Sequence, residues 1–191
     1  MKEKKKINLP NKLTIMRMVL TPFLVFFMLT DFGFSPLLSF IIFATASITD
    51  FIDGKVARSR NLVTDFGKFL DPIADKIVVL SVLICLITKG LCSPAVVVIV
   101  IFREFIVSSL RLLAATNNVV LAAEKSGKIK TAFQMISVTL ILALCTLTSL
   151  SDISLPVEVI SNILMWITAA LTLYSGAEYL IRNRQFINPF E

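Results

Sequence analysis

Six apolar stretches limit this chain more than any other feature. They cover approximately 13–31, 35–58, 66–88, 93–115, 128–150 and 155–181. Crossing the hydrocarbon of a bilayer takes roughly 20 helical residues, and each stretch is about that long. An open sheet cannot satisfy its backbone in lipid, so all six read as helices. The expected fold is all-α, an integral membrane bundle of six transmembrane helices. The 191 residues are 56% hydrophobic and the mean hydropathy is +0.85, well above the composition of a soluble domain.

Charge supplies the orientation. Lysine and arginine total 19 against 13 acids. The positive residues collect at the N-terminus (Lys2, Lys4, Lys5, Lys6, Lys12), in the second loop (Arg58, Arg60, with Lys68 beyond), in the fourth (Lys125, then Lys128 and Lys130) and at Arg182 and Arg184. The opposite loops hold only Lys89. Both termini are therefore expected in the cytoplasm of a multi-pass cell-membrane protein. The basic excess points to cytoplasmic loops and anionic phosphate partners, with no nucleic acid. Residues 1–12 read as a basic, surface-lying juxtamembrane segment, broken by Pro10, ahead of one domain at 13–185. A basic start before an apolar run also fits a signal peptide, but no small-residue cleavage site follows at Thr30–Gly33. No histidine is present, and Cys85, Cys92 and Cys145 are dispersed. That spacing fits neither a disulfide framework nor a zinc motif.

Four aspartates interrupt the apolar pattern at the second loop. The run reads D50-x-x-D53-G54-x-x-A57-R58, eight residues, then G67-x-x-x-D71-x-x-x-D75. On a helix Asp50 and Asp53 share a face, as do Asp71 and Asp75. A hairpin turning near Leu62 would bring the two pairs to matching levels, about two to three turns inside the cytoplasmic edge. Four facing carboxylates repel unless protonated or neutralised by cations. Hard oxygen donors suit Mg²⁺, or Mn²⁺ in its place. Two such ions would balance four carboxylates, an arrangement that clamps a phosphoryl group. A polar cluster holding helices together is the plainer alternative. A divalent-cation transporter is another, although the acids lie towards one edge and no repeat is visible. Pro72 inside the third span frees a carbonyl near Lys68, which a bend, water or ligand must absorb.

The complete pattern D-x2-D-G-x2-A-R-x8-G-x3-D-x3-D resembles the signature of the CDP-alcohol phosphatidyltransferase family, and the six-span layout extends that resemblance over most of the chain. The resemblance implies a membrane enzyme that passes the phosphatidyl group of a CDP-activated lipid to an alcohol. It implies that Asp50, Asp53 and Asp71 hold two divalent ions, and that Asp75 acts as base and also serves the metal site. It assigns contact with the CDP-lipid to Gly54, Ala57, Arg58, Thr64 and Gly67, and it suggests a homodimer through membrane helices.

Two further groups invite chemistry. In N11-x-x-T14-x-x-R17, Asn11 is a natural helix start, but an arginine well inside an apolar run needs a partner or a polar cavity. This motif also resembles a family feature, placing Asn11 and Thr14 at the CDP-lipid site. In the fourth span Arg103 and Arg111 fall on one broad face, and Glu104 is expected to pair with Arg103, Lys76 or another buried cation. R103-E-x6-R111 followed by G127-K-x-K-T-x-x-Q134 resembles the family branch that uses glycerol-3-phosphate. On that resemblance CDP-diacylglycerol is the donor, and Arg103, Arg111, Lys128 and Lys130 meet the acceptor phosphate. A sister enzyme using inositol phosphate or serine is the nearest alternative, because the acid signature does not separate acceptors.

Overall fold

The computed structural model describes residues 9–59, 65–116, 119, 121–122, 124–151 and 154–186. Side chains are described over the same residues apart from 9–11, 50–59, 65–69, 71–72 and 186. Among the described residues the chain forms six α-helices, α1 (Leu9–Leu29), α2 (Ser35–Ser59), α3 (Asp65–Thr88), α4 (Pro94–Thr116), α5 (Lys125–Leu150) and α6 (Val157–Arg182), then a 3₁₀ turn at Arg184–Phe186. The fold is all-α, and the helices follow the six apolar stretches closely. Two starts come earlier than expected, and that of α5 is at Lys125. Helix α1 begins at Leu9, so Pro10 lies in its first turn and Asn11 does not cap it. A proline fits there because its missing N–H would have no intrahelical partner anyway. Helix α3 continues through Pro72.

Three helices are long and apolar enough to cross a membrane among the described residues: α1 over Lys12–Leu29, α5, and α6. Helix α4 has the length but carries Arg103, Glu104 and Arg111. Helix α2 has an apolar stretch, Ser35–Thr49, that ends before its acids. Many large apolar side chains face outward, among them Phe102, Phe105, Leu112 and Ile181. Such surfaces suit lipid and not water.

The chain divides into two compact units. The first comprises Met1–Cys85 and Leu142–Leu155. Within it α1 packs on α2. The buried face of α1 is Thr14, Arg17, Thr21, Leu24 and Met28, a stripe at helical spacing. The facing stripe on α2 is Ser35, Ser39, Phe43 and Ala46, whose small members let the backbones approach. Hydroxyls in these helices bond back one turn, as Ser39 Oγ does to the Ser35 carbonyl at 2.9 Å and Ser47 Oγ to that of Phe43 at 2.8 Å. These hydroxyls are thus satisfied within their own helix. The end of α5 is tied to the α1–α2 turn where Ser149 Oγ donates to the Gly33 carbonyl at 2.8 Å.

The second unit comprises Leu86–Ile141 and Pro156–Glu191. Here α4 packs on α6. Its core joins Val96, Val97, Val100, Val107 and Leu110 of α4 with an α6 face of mostly short side chains: Ser161, Thr168, Ala169, Thr172, Ser175 and Gly176. Met165 and Tyr179 are the bulky members of that face. Ser161 Oγ donates to the Leu91 carbonyl, fastening α6 to the α3–α4 turn. Gly90 occupies that turn at φ 70°, a backbone conformation that glycine adopts without steric cost. Neighbouring Cys92 is buried, and burial pushes its thiol up to about 11. A thiol so seldom ionised does not serve as a nucleophile. None of the three cysteines forms a disulfide among the described residues.

Candidate active site

Helix α2 carries Asp50, Asp53, Gly54, Ala57 and Arg58, and helix α3 carries Gly67, Asp71 and Asp75. Each acid pair therefore has the one-turn spacing its helix requires to share a face. The side chains of Asp50, Asp53, Ala57, Arg58 and Asp71 lie outside the described residues, as do that of Asn11 and the whole of Thr64. Among the described residues no three metal-ligating side chains converge. Three of the four acids named for the metal site are not among them.

Asp75 is described. Its side chain is 49% exposed, and Arg17 Nη1 of α1 donates to its Oδ1. Arg17 itself is only 2% exposed, and its carbonyl accepts a bond from Thr21 Oγ1 at 2.9 Å. The partner that an arginine deep in an apolar run demands is thus one of the four signature acids. Thr14, one turn before Arg17, is fully buried in the same unit. An oxygen-only donor set that includes a half-exposed carboxylate fits a hard divalent ion.

The basic residues of the second unit fall into distinct settings. Glu104 Oε1 accepts from Arg103 Nη1 and from Lys130 Nζ, both at 3.0 Å. Arg103 is gripped by two glycines: a Cβ on Gly176 would stand 3.0 Å from its Cγ, and one on Gly127 would stand 3.1 Å from its Nη2. Arg111, on the exposed side of α4, donates from Nε to Tyr179 Oη at 3.3 Å. Its Cζ lies 5.6 Å from the centre of that ring, within range of a cation–π contact. Lys128 is exposed and forms no ion pair among the described residues. Arg182 bridges Glu178 at 2.8 Å and Glu124 at 3.7 Å.

Polar atoms cluster on the inner face of α5. Ser126, Lys130, Gln134 and Ser137 fall within about 80° of one another around the helix axis. Ser126 Oγ, Gln134 Nε2 and Ser137 Oγ are buried without a hydrogen-bond partner, as are Arg103 Nε and Glu124 Oε2. A buried polar atom left unbonded costs about 1–3 kcal/mol. Gln134 stands in the motif after Gly127, but its burial was not readable from spacing. Tyr179 had no sequence signal at all, being 68 residues from Arg111.

Comparison with known proteins decides the family. A family model described as CDP-alcohol phosphatidyltransferase matches residues 7–174, most of the chain. The chain belongs to the CDP-alcohol phosphatidyltransferase family. Family members named CDP-diacylglycerol–glycerol-3-phosphate 3-phosphatidyltransferase resemble it over nearly their full length. The Bacillus subtilis protein is 39% identical over 192 residues, covering 92% of this chain and 95% of its own. The Rickettsia felis protein is 36% identical over 90% and 93%, and the Salmonella choleraesuis protein 36% over 94% and 96%. The acid signature that named the family from residues 50–75 thus sits inside a match extending far beyond it.

Proposed function

We propose that this phosphatidyltransferase moves the phosphatidyl group of CDP-diacylglycerol to glycerol-3-phosphate, giving phosphatidylglycerol phosphate and CMP. The observation that carries the proposal is the full-length similarity to relatives named for that reaction. The acid signature, intact on α2 and α3 of this chain, agrees with it.

In this reading all six helices span the membrane, both termini face the cytoplasm, and the site opens on that side. Asn11, Thr14, Gly54, Ala57, Arg58, Thr64 and Gly67 border the CDP-lipid. Asp50, Asp53 and Asp71 would hold two divalent ions, Mg²⁺ or Mn²⁺, with Asp75 beside them. Such ions, when bound, supply neutralisation of the pyrophosphate charge. Asp75 takes the proton of the acceptor hydroxyl. That oxygen bonds to the phosphatidyl phosphorus as the bond to CMP breaks, and CMP departs as a phosphate monoester. Arg17 holds the carboxylate of Asp75 in place from α1. No covalent enzyme intermediate is required. Arg103, Arg111, Lys128 and Lys130 form the basic region from which the acceptor phosphate is held. The working form is a homodimer joined through membrane helices.

The test is CMP release by purified protein in CDP-diacylglycerol vesicles, with glycerol-3-phosphate, serine and inositol phosphate offered in parallel. Release with glycerol-3-phosphate alone, abolished by Asp75→Asn and by chelation of divalent ions, is the expected result. Release driven by serine or inositol phosphate instead would overturn the acceptor assignment. Turnover by Asp75→Asn at the wild-type rate would remove Asp75 as base.

A further inference from the structure

The four basic residues of the second unit are not equally placed to hold a phosphate. Arg103 and Lys130 both give hydrogen bonds to one oxygen of Glu104. Glu104 balances one of their two charges and fixes both groups in place, and Arg103 is further confined by Gly127 and Gly176. Lys128 is exposed on α5, and no hydrogen bond or ion pair among the described residues fixes its orientation. Arg111 differs from all three. Its Nε is bonded to Tyr179 Oη, and its plane is held near the Tyr179 ring. Its two terminal nitrogens take no hydrogen bond among the described residues. Those nitrogens form the fork that meets two oxygens of a phosphate at once.

The holder is stiff. Tyr179 is 2% exposed and sits in an apolar cluster with Val107 and Leu110, one helical turn and one residue before Arg111 on α4. Its carbonyl accepts both the backbone N–H of Asn183 at 3.1 Å and the side-chain amide of that residue at 2.8 Å. Glu178, next to it in sequence, is paired with Arg182, which tempers its repulsion of an arriving anion. We infer that Tyr179 is a positioning residue: it presents the terminal nitrogens of Arg111 to the phosphate monoester of the acceptor. The inference rests on the acceptor proposed above and adds a residue that touches Arg111 and not the substrate.

Pre-orientation lowers the ordering cost of binding, so its loss should appear in the acceptor KM and leave kcat and the KM for CDP-diacylglycerol nearly unchanged. Tyr179→Phe keeps the ring and loses the hydroxyl, and should raise the KM for glycerol-3-phosphate about threefold to tenfold, since one hydrogen bond is worth ~1 kcal/mol. Arg111→Lys keeps the charge and loses the fork, and should raise that KM further. In Arg111→Lys the Tyr179→Phe change should add little. The same order should hold for glycerol-3-phosphate binding to the full-length protein in micelles without CDP-diacylglycerol, read by calorimetry. Tyr179→Phe with a wild-type acceptor KM, or with equal losses for both substrates, would overturn the inference while wild-type turnover with glycerol-3-phosphate still upheld the proposed reaction. Wild-type protein inactive with glycerol-3-phosphate would instead overturn the reaction on which the inference rests.

Discussion

Replacing Glu104 with glutamine should destabilise the second unit severely, and the size follows from its surroundings. Side-chain exposure is 21% for Glu104, 11% for Arg103 and 3% for Lys130. The wild-type group carries two cations and one anion, a net charge of plus one. Glutamine leaves plus two in a site largely closed to water. Removing one partner of a buried ion pair costs about 3–5 kcal/mol. The glutamine oxygen still accepts one hydrogen bond, which puts the expected loss near the lower end. For a chain of this length about 3 kcal/mol lowers Tm by roughly 10 °C. Trp166 is the single tryptophan and belongs to the same unit, so its fluorescence on heating in detergent reports the transition. The decisive comparison is the double variant Glu104→Gln with Lys130→Met. It restores a net charge of plus one and should melt above Glu104→Gln alone, a coupling of at least ~1 kcal/mol. A Glu104→Gln protein melting within about 2 °C of wild type, or a double variant weaker than either single one, would refute the reasoning.

Other outcomes follow from single contacts. Gly176→Ala should cost about 1–3 kcal/mol, because the added carbon meets the stem of the Arg103 side chain; Gly127→Ala meets only its far end and should melt closer to wild type. Arg17→Met should lower kcat tenfold or more by releasing Asp75, with CDP-diacylglycerol KM moving less and Arg17→Lys retaining part of the rate. An unchanged kcat in a monodisperse Arg17→Met protein would deny Arg17 that role. Alkylation of Cys92, followed by mass spectrometry of the folded protein, should stay slow at neutral pH and rise about tenfold per unit of pH up to about 11. A plateau near pH 9 would show the thiol to be open to water.

The parts of this chain that were legible in its sequence are those governed by its own neighbours along the helix. Twenty apolar residues in lipid leave a helix as the outcome, and the one-turn spacing of Asp50 with Asp53 and of Asp71 with Asp75 is a property of each helix alone. The start of α1 was placed too late because Pro10 looks like a breaker, although a first turn accepts it. Arg17 plainly needed a partner, but nothing local singles out Asp75, 58 residues on. Glu104 was expected to meet Arg103, Lys76 or another buried cation; the pairing includes Arg103, and the other cation is Lys130, set by the approach of α5 to α4. Tyr179 reads as one more apolar residue until the fold lays it against Arg111.

Most of the inner face of α6 is built of short side chains, with Met165 and Tyr179 the exceptions. Short side chains interlock weakly, so the alignment of α6 on α4 leans on a few specific fittings. Here Arg103 works as a peg and Gly176 as its notch, with Glu104 and Lys130 preventing the peg from withdrawing. Moving α6 by one turn would require the stem of the Arg103 side chain to leave its slot first. Arg103 thus helps to index the long axis of α6 against α4, as a detent indexes a shaft, alongside Tyr179 on Arg111 and Ser161 on the Leu91 carbonyl.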